Sequence, residues 1–320
     1  MDAWEPELKR VIGLQDLDSK IGNFALEKVR IFYQERKYSV EDYVPGTQYE
    51  EVWCSSIFDF TDKSSVAPGA IRGGTGFDLT TILPREIDSI IPRLNYGFTT
   101  RGCIRNCKFC VVRRKEGPIR VVGDLLDLWD GRAREISIFD NNILGLPEHF
   151  KLVCGQAKEN HLRIDFNQGL DHRLLTPGVV EILRSTPRSV PTWKFAFDSV
   201  KSFPSVERAL SLLQSGGIPR AMWYVLVGFD STFKEDLERL NYLRSRNQVA
   251  YVQRFHDPKA EPDRRLTALA RWVNQRHIFR GMTWEQFIAT PKNLQAYGKF
   301  DWGVYQPPAR RASEDMEHQV

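Results

Sequence analysis

Along the chain, short apolar runs alternate with stretches whose apolar residues fall at helical spacing. Residues 10–17 predict a first strand and its outgoing loop. Behind it Ile21, Phe24, Ala25, Val29 and Phe32 recur three and four apart, which predicts a helix, with Ser19 placed to cap it. A short extended piece over 39–44 and an apolar strand over 51–60 follow, the latter carrying Asp59 near its end. A Pro- and Gly-rich stretch then contains Gly73-Gly74-Thr75-Gly76. These glycines predict a turn between domains. A phosphate cradle or a loop facing a substrate is the alternative, weakened because GxGxxG spacing is missing. The alternation as a whole predicts a small α/β domain over residues 1–90.

From Tyr96 the pattern becomes repetitive. Strand candidates lie at 96–99, 134–139, 162–166, 193–197, 222–228 and 249–252, with helical stretches at 146–160, 177–185, 204–215 and 232–245 between them. Strands that alternate with helices in this way predict parallel β/α units. Polar residues gather just after successive strands: Asp140-Asn141-Asn142, then Asp165 with Asn167-Gln168, then Asp198, Asp230, and Arg254 with His256. In parallel barrels that edge is where chemistry collects. From about 262 the chain reads as helices rich in arginine and aromatics, and residues 309–320 read as a loose tail.

Hydrophobic residues make up 42% of the chain and charged residues 27%, the balance of a folded protein with a sizeable core. No apolar run reaches the length of a membrane span, and MDAWEPELKR lacks the basic-then-apolar order of a signal peptide. A soluble, cytoplasmic protein is expected. The formal net charge of +4 is too small to establish a nucleic-acid partner by itself. Arg113-Arg114-Lys115 and the series Arg264, Arg265, Arg271, Arg276 are the densest basic regions, and either is a solvated face or an anion-contacting one.

The five cysteines change the picture more. Cys54 and Cys154 sit in apolar runs and read as small buried hydrophobes. Cys103, Cys107 and Cys110 fall within eight residues, in Cys-Ile-Arg-Asn-Cys-Lys-Phe-Cys. Three soft thiolates on one loop suit a cubane iron–sulfur cluster with its fourth iron left open. A closed structural zinc site would need a fourth ligand, and the nearest histidine in sequence is His149.

The spacing CxxxCxxC in YGFTTRGCIRNCKFC, with an aromatic before the last cysteine, resembles the radical S-adenosylmethionine (SAM) superfamily. The resemblance covers about residues 95–257. It implies a partial, TIM-like (β/α)6 barrel at 91–260, preceded by the α/β domain and followed by a helical C-terminal extension at 261–320. The first domain is similar in layout to a cobalamin-binding one, without cobalamin because DxHxxG is missing. The implied cofactors are a 4Fe–4S cluster and SAM, cleaved reductively to a 5'-deoxyadenosyl radical that takes a hydrogen from the substrate. A flavodoxin or ferredoxin would supply the electron.

The resemblance also assigns residues. Cys103, Cys107 and Cys110 would hold the cluster, and Phe109 would lie against adenine. Asp140 and Asn142 stand where the family's Gly-Gly-Glu-like segment holds the SAM amino group, a departure from its common form. Asn167 or Gln168 would meet the ribose and Arg173 the carboxylate. Gly228 would border adenine, while Asp198 and Arg254 are further candidates for contacts with SAM or substrate. Arg271, Trp272, Arg276, Arg280 and Trp284 offer phosphate and stacking contacts and tilt the expected substrate towards a nucleic acid or nucleotide. A non-catalytic iron–sulfur electron carrier or regulator is the competing function.

Overall fold

The computed structural model describes residues 10–257, 261 and 263–297. It divides into two compact units. One takes the described residues up to Asn106 together with Cys110–Phe139; the other takes Cys107–Phe109 together with the described residues from Asp140.

In the first unit, Val11–Asp16 (β1), Phe24–Glu35 (α1), Ser39–Asp42 (β2), Glu51–Ser55 (β3) and Ile71–Gly73 (β4) build a parallel sheet in the order β2-β1-β3-β4. Ile12 and Leu14 of β1 and Trp53 of β3 are buried with Leu26 and Val29 of α1 and with Ile87. Burying each such side chain contributes about 1.5–3 kcal/mol, and the period of 3.6 along α1 delivers its apolar stripe to the sheet. The helix starts later than the spacing predicts. Asn23 is the cap, accepting from the amides of Ala25 and Leu26, while Ser19 instead accepts from the Asn23 amide nitrogen at 3.0 Å. Ile21 lies outside the helix and is 55% exposed.

Strand β3 also ends early, for a visible reason. Asp18, just beyond β1, accepts hydrogen bonds from the amides of Ile57 and Phe58 and from the hydroxyls of Ser56 and Thr61. Those amides are thereby lost to the sheet. The glycine run has a packing role beside this turn. Ser56 donates its amide to Gly73 O and accepts from Gly76 N, and Gly74 has φ +96°. A Cβ at Gly74 would stand 2.2 Å from Ser56 O. Only glycine permits that approach.

The unit continues through Arg85–Asp88 (α2), Tyr96–Gly97 (β5), Thr100–Arg101 (β6), Val112–Glu116 (α3), Arg120–Val121 (β7), Leu125–Leu128 (α4) and Glu135–Ile138 (β8). Strands β5 and β8 pair in parallel, β6 and β7 antiparallel.

The second unit repeats helix and strand: Pro147–Glu159 (α5), Arg163–Phe166 (β9), Pro177–Ser185 (α6), Lys194–Ala196 (β10), Phe203–Ser215 (α7), Met222–Val227 (β11), Phe233–Ser245 (α8) and Val249–Arg254 (β12). Strands β10, β11 and β12 are parallel, with Lys194 opposite Met222 and Ala196 opposite Tyr224, itself opposite Tyr251. Single parallel bridges, Ile164 to Arg188 and Leu170 to Phe195, tie β9 and its loop to the β10 segment. Phe195, Trp223 and Val225 are fully buried, as are Val206, Ala209 and Leu240 on the helices. Because side chains alternate along a strand, the opposite face is free to carry polar groups.

Arg264–Val273 (α9), Arg276–Gly281 (α10), Trp284–Ile288 (α11) and Pro291–Tyr297 (α12) complete the described chain. The tryptophans expected to stack on bases are core residues. Trp272 is 0% and Trp284 5% exposed, their rings 5.5 Å apart, and Trp272 donates to Met282 O. Arg271 donates to the Tyr297 hydroxyl at 2.7 Å. The architecture is thus mixed α/β with several parallel sheets. No closed barrel is formed among the described residues. No helix among them is long and apolar enough to cross a membrane. The tail expected to be loose lies outside the described residues.

Candidate functional site

On the polar face of the second unit, β10, β11 and β12 and the loop after β9 line a cavity of about 520 Å3. Lys194 stands in its wall, in a strand otherwise apolar. Its ammonium donates to Asp165 Oδ2 at 2.5 Å and to Asn167 Oδ1 at 3.1 Å. The two charged side chains are only 11% and 9% exposed. Such a pair loses much of its hydration and holds only where hydrogen bonds replace it. An ammonium has three donors, and two are engaged here. Asp165 Oδ1 is buried without a hydrogen-bond partner. Lys194 borders the cavity, whereas Asp165 is not part of the lining and its unpartnered oxygen is closed off from solvent.

Tyr224 closes the floor. Its hydroxyl donates to Asn167 O at 2.9 Å, and burial, helped by the charges of Asp165 and Tyr251, pushes it up to about 12. It therefore remains a donor at neutral pH. Tyr251 meets it edge-on with centroids 5.9 Å apart and is itself 43% exposed. Gly169, at φ +87°, lets the 167–170 turn approach the Tyr224 ring. On the far side, Asn274 pairs with both the amide and the carbonyl of Val252, fixing the edge of β12, and Arg276 follows it in the cavity wall.

A second polar group occupies the ends of the strands. Asp171 accepts from Arg173 Nε at 2.6 Å and Nη2 at 3.1 Å, and from Asn142 Nδ2 at 3.3 Å. Asp198 follows β10. Burial pushes its carboxyl up to about 6, against the pull of Arg239, the Leu226 amide and Arg173, while the charge of Asp171 adds to the rise. Arg239 is fully buried with Asp236 on α8. It donates to Phe197 O, just after β10, and to Leu226 O near the end of β11, and Asp236 accepts from Gly228 N and the Ser231 hydroxyl.

These contacts place the sequence-predicted residues. Asn142, Arg173 and Asp198 come together around Asp171, whereas Asn167 and Gln168 line the cavity. Asp140 is buried. Phe109 packs edge-on against Phe229, centroids 5.6 Å apart, and Gly228 takes φ +80°. Arg254 donates to the Thr267 hydroxyl at 2.8 Å. Cys54 and Cys154 are buried, with thiols pushed up by burial to about 11 and about 12, as expected of small apolar residues.

Sequence patterning missed Lys194, Tyr224, Tyr251 and Asn274. The visible signal was one lysine inside Trp193–Phe197, an otherwise apolar strand. A lysine flanked by buried aromatics needs a partner.

The cysteine loop overturns the leading expectation. Among the described residues, no three His, Cys, Asp or Glu side chains converge as ligands for a metal ion. Cys103 and Cys110 belong to the first unit and Cys107 to the second. The Cys103 amide donates to Gly117 O, its carbonyl accepts from Arg113, and its sulfur accepts from Arg105 N. A cluster with an open iron needs three convergent thiolates. The residues therefore do not fit the 4Fe–4S cluster. The radical SAM assignment, SAM as cofactor, the flavodoxin or ferredoxin donor and the non-catalytic iron–sulfur alternative all fall with it. No protein-family model matches the chain, and no curated protein matches its sequence.

Proposed function

We propose that the second unit binds a small polyhydroxylated molecule in the cavity beside Lys194. The observation that carries this is Lys194, a cation that is held against the buried Asp165 and borders a cavity of about 520 Å3 together with Gln168, Tyr224, Gln253 and Asn274. That volume lies within the usual range for small-molecule sites, about 300–1,000 Å3. A hydroxyl both donates and accepts, so it matches the Lys194 ammonium as an acceptor and a neighbouring side-chain amide oxygen as a donor. Gln168, Gln253 and Asn274 also offer both functions, and the Tyr224 and Tyr251 rings suit the C–H face of a sugar-like ring.

In this reading β9 to β12 wall an open, partial barrel. We assign 91–260 to the cavity-bearing β/α units, 1–90 to the small α/β domain, and 261–320 to an extension whose described part reaches the cavity through Asn274 and Arg276. Asn167 and Gln168 are assigned to the ligand. Phe109, Asp140, Asn142, Arg173, Asp198, Gly228 and Arg254 are assigned to holding the strand ends. A cytoplasmic setting belongs to the same proposal and rests on the cysteine usage.

Saturation-transfer NMR with D-glucose and D-ribose tests it. Transfer to at least one sugar is expected in the native chain and lost in Lys194→Met. That variant leaves Asp165 buried and unpaired, a destabilisation of about 3–5 kcal/mol. Tyr251→Ala, at a partly exposed ring, is therefore the second variant, and it too should weaken transfer. Absence of transfer from both sugars, or equal transfer in both variants, would overturn the proposal.

A further inference from the structure

Arg276 lines the large cavity, Arg280 lines a smaller one, and Arg220 lies within electrostatic range of both; none makes an ion pair among the described residues. Arg276 and Arg280 stand four apart on α10, so their side chains leave the same helix face. Arg276 belongs to the wall of the large cavity, and Arg280 to that of a smaller one of about 290 Å3 shared with Gln248. Arg220 lies two residues before β11. Its backbone is fixed on both sides by one side chain, Gln248, which accepts from Ala221 N at 2.9 Å and donates to Pro219 O at 3.0 Å. The Arg220 Nε is buried and has no hydrogen-bond partner. Burial and the charges of Arg280 and Arg276 all disfavour its charged form. Arg244, which also borders the smaller cavity, spends its donors on Phe279 O and Arg280 O.

A guanidinium cannot escape this crowding by losing its proton, and each one presents a planar fork of donors. Positive charges held together with donors unspent are completed by an anion. A carboxylate brings one charge and two oxygens. A phosphate brings nearly two charges and three terminal oxygens, enough to face three forks.

We infer that Arg220, Arg276 and Arg280 form a phosphate subsite at the end of the cavity, and that the molecule bound there is a phosphorylated polyhydroxy compound. The inference rests on the cavity proposed above for its sugar-like part. The arginines alone account for the phosphate.

Isothermal titration of the full chain with D-glucose, D-ribose, their terminal phosphate esters and inorganic phosphate tests it. The esters should bind at least about tenfold more tightly than the parent sugars, the usual gain from charged hydrogen bonds. Arg276→Gln and Arg280→Gln should each lower that ratio several-fold. Neither side chain makes a hydrogen bond among the described residues, and matched melting temperatures would confirm that the variants are folded. Equal affinity for ester and sugar would overturn the subsite while leaving the cavity proposal standing. A preference that survives both substitutions would overturn it too. Arginine-dependent binding of inorganic phosphate without binding of either sugar or ester would support the subsite and sink the cavity proposal. Binding of none of the five overturns both. If a short oligothymidylate bound more tightly than the esters through the same arginines, the small-molecule assignment would be wrong.

Discussion

Asp198 shows how one carboxyl registers its surroundings. An unfolded aspartate titrates near about 3.9, and burial in the folded chain moves Asp198 up to about 6. Between those values the folded state binds more protons than the unfolded one, so stability falls as pH rises through that window and then levels off. Asp198→Asn removes the effect. The melting temperature of the variant relative to the native chain should therefore climb between about pH 4 and pH 6 and stay constant above about pH 7. A difference that is flat with pH, measured by thermal melts across the range, would show that Asp198 does not titrate there. The polarity of the segments around Asp171 and Asp198 was legible in sequence, because polar residues after apolar runs mark strand ends. Which of them meet was not. Asn142 and Asp171 are 29 positions apart, and only the fold makes them partners.

At the scale of elements, Arg239 of α8 replaces what a loop would otherwise need several groups to do. Its guanidinium ties Phe197 O, Leu226 O and Asp236 together with no exposure to solvent. Removing one member leaves the other charge buried and unpaired, so Arg239→Met should cost about 3–5 kcal/mol in urea unfolding. The double variant Arg239→Met, Asp236→Leu removes both charges but still orphans two backbone carbonyls. It should recover only part of the loss, remaining about 1–3 kcal/mol below the native chain. Full recovery would mean that the carbonyl contacts contribute nothing. In sequence, Asp236 and Arg239 look like an ordinary exposed pair three apart on a polar helix, which is why patterning passed over them. The strands and helices of the second unit were legible almost to their ends, because each buries one face and keeps the period that burial imposes. The misjudged boundaries were those set by side-chain hydrogen bonds: Asn23 in place of Ser19, and Asp18 stopping β3.

At the largest scale, the first unit contains the parallel sheet β2-β1-β3-β4 and the second the parallel sheet β10-β11-β12. The cysteine spacing and the fold disagree for a physical reason. Spacing is a property of the chain in one dimension, whereas ligation requires side chains to converge in three, and Cys103, Cys107 and Cys110 do not. The arginines reverse that lesson. Arg276 and Arg280 were visible in the C-terminal basic stretch, but Arg220, distant in sequence, joins them only once β11 and α10 are in place. The first unit carries a different kind of dependence. Asp18 alone fastens the amides of Ile57 and Phe58, and hydrogen bonding to Phe58, Ile57, Ser56 and Thr61 outweighs burial to hold its carboxyl below the usual range. The residues so fastened include the exposed Ile57 and Phe58, the latter stacked on Phe60 with centroids 5.1 Å apart. Stability from a depressed carboxyl is present above about pH 4 and fades as the group protonates. Acidification below about pH 4 should thus loosen this apolar spur while the sheet beneath it persists. The consequence is colloidal: light scattering should rise before far-ultraviolet circular dichroism changes as the solution is acidified. Asp18→Asn, already deprived of the charge, should scatter at neutral pH. A preparation that stayed clear until its secondary structure melted would show that the spur does not govern how the molecule keeps in solution.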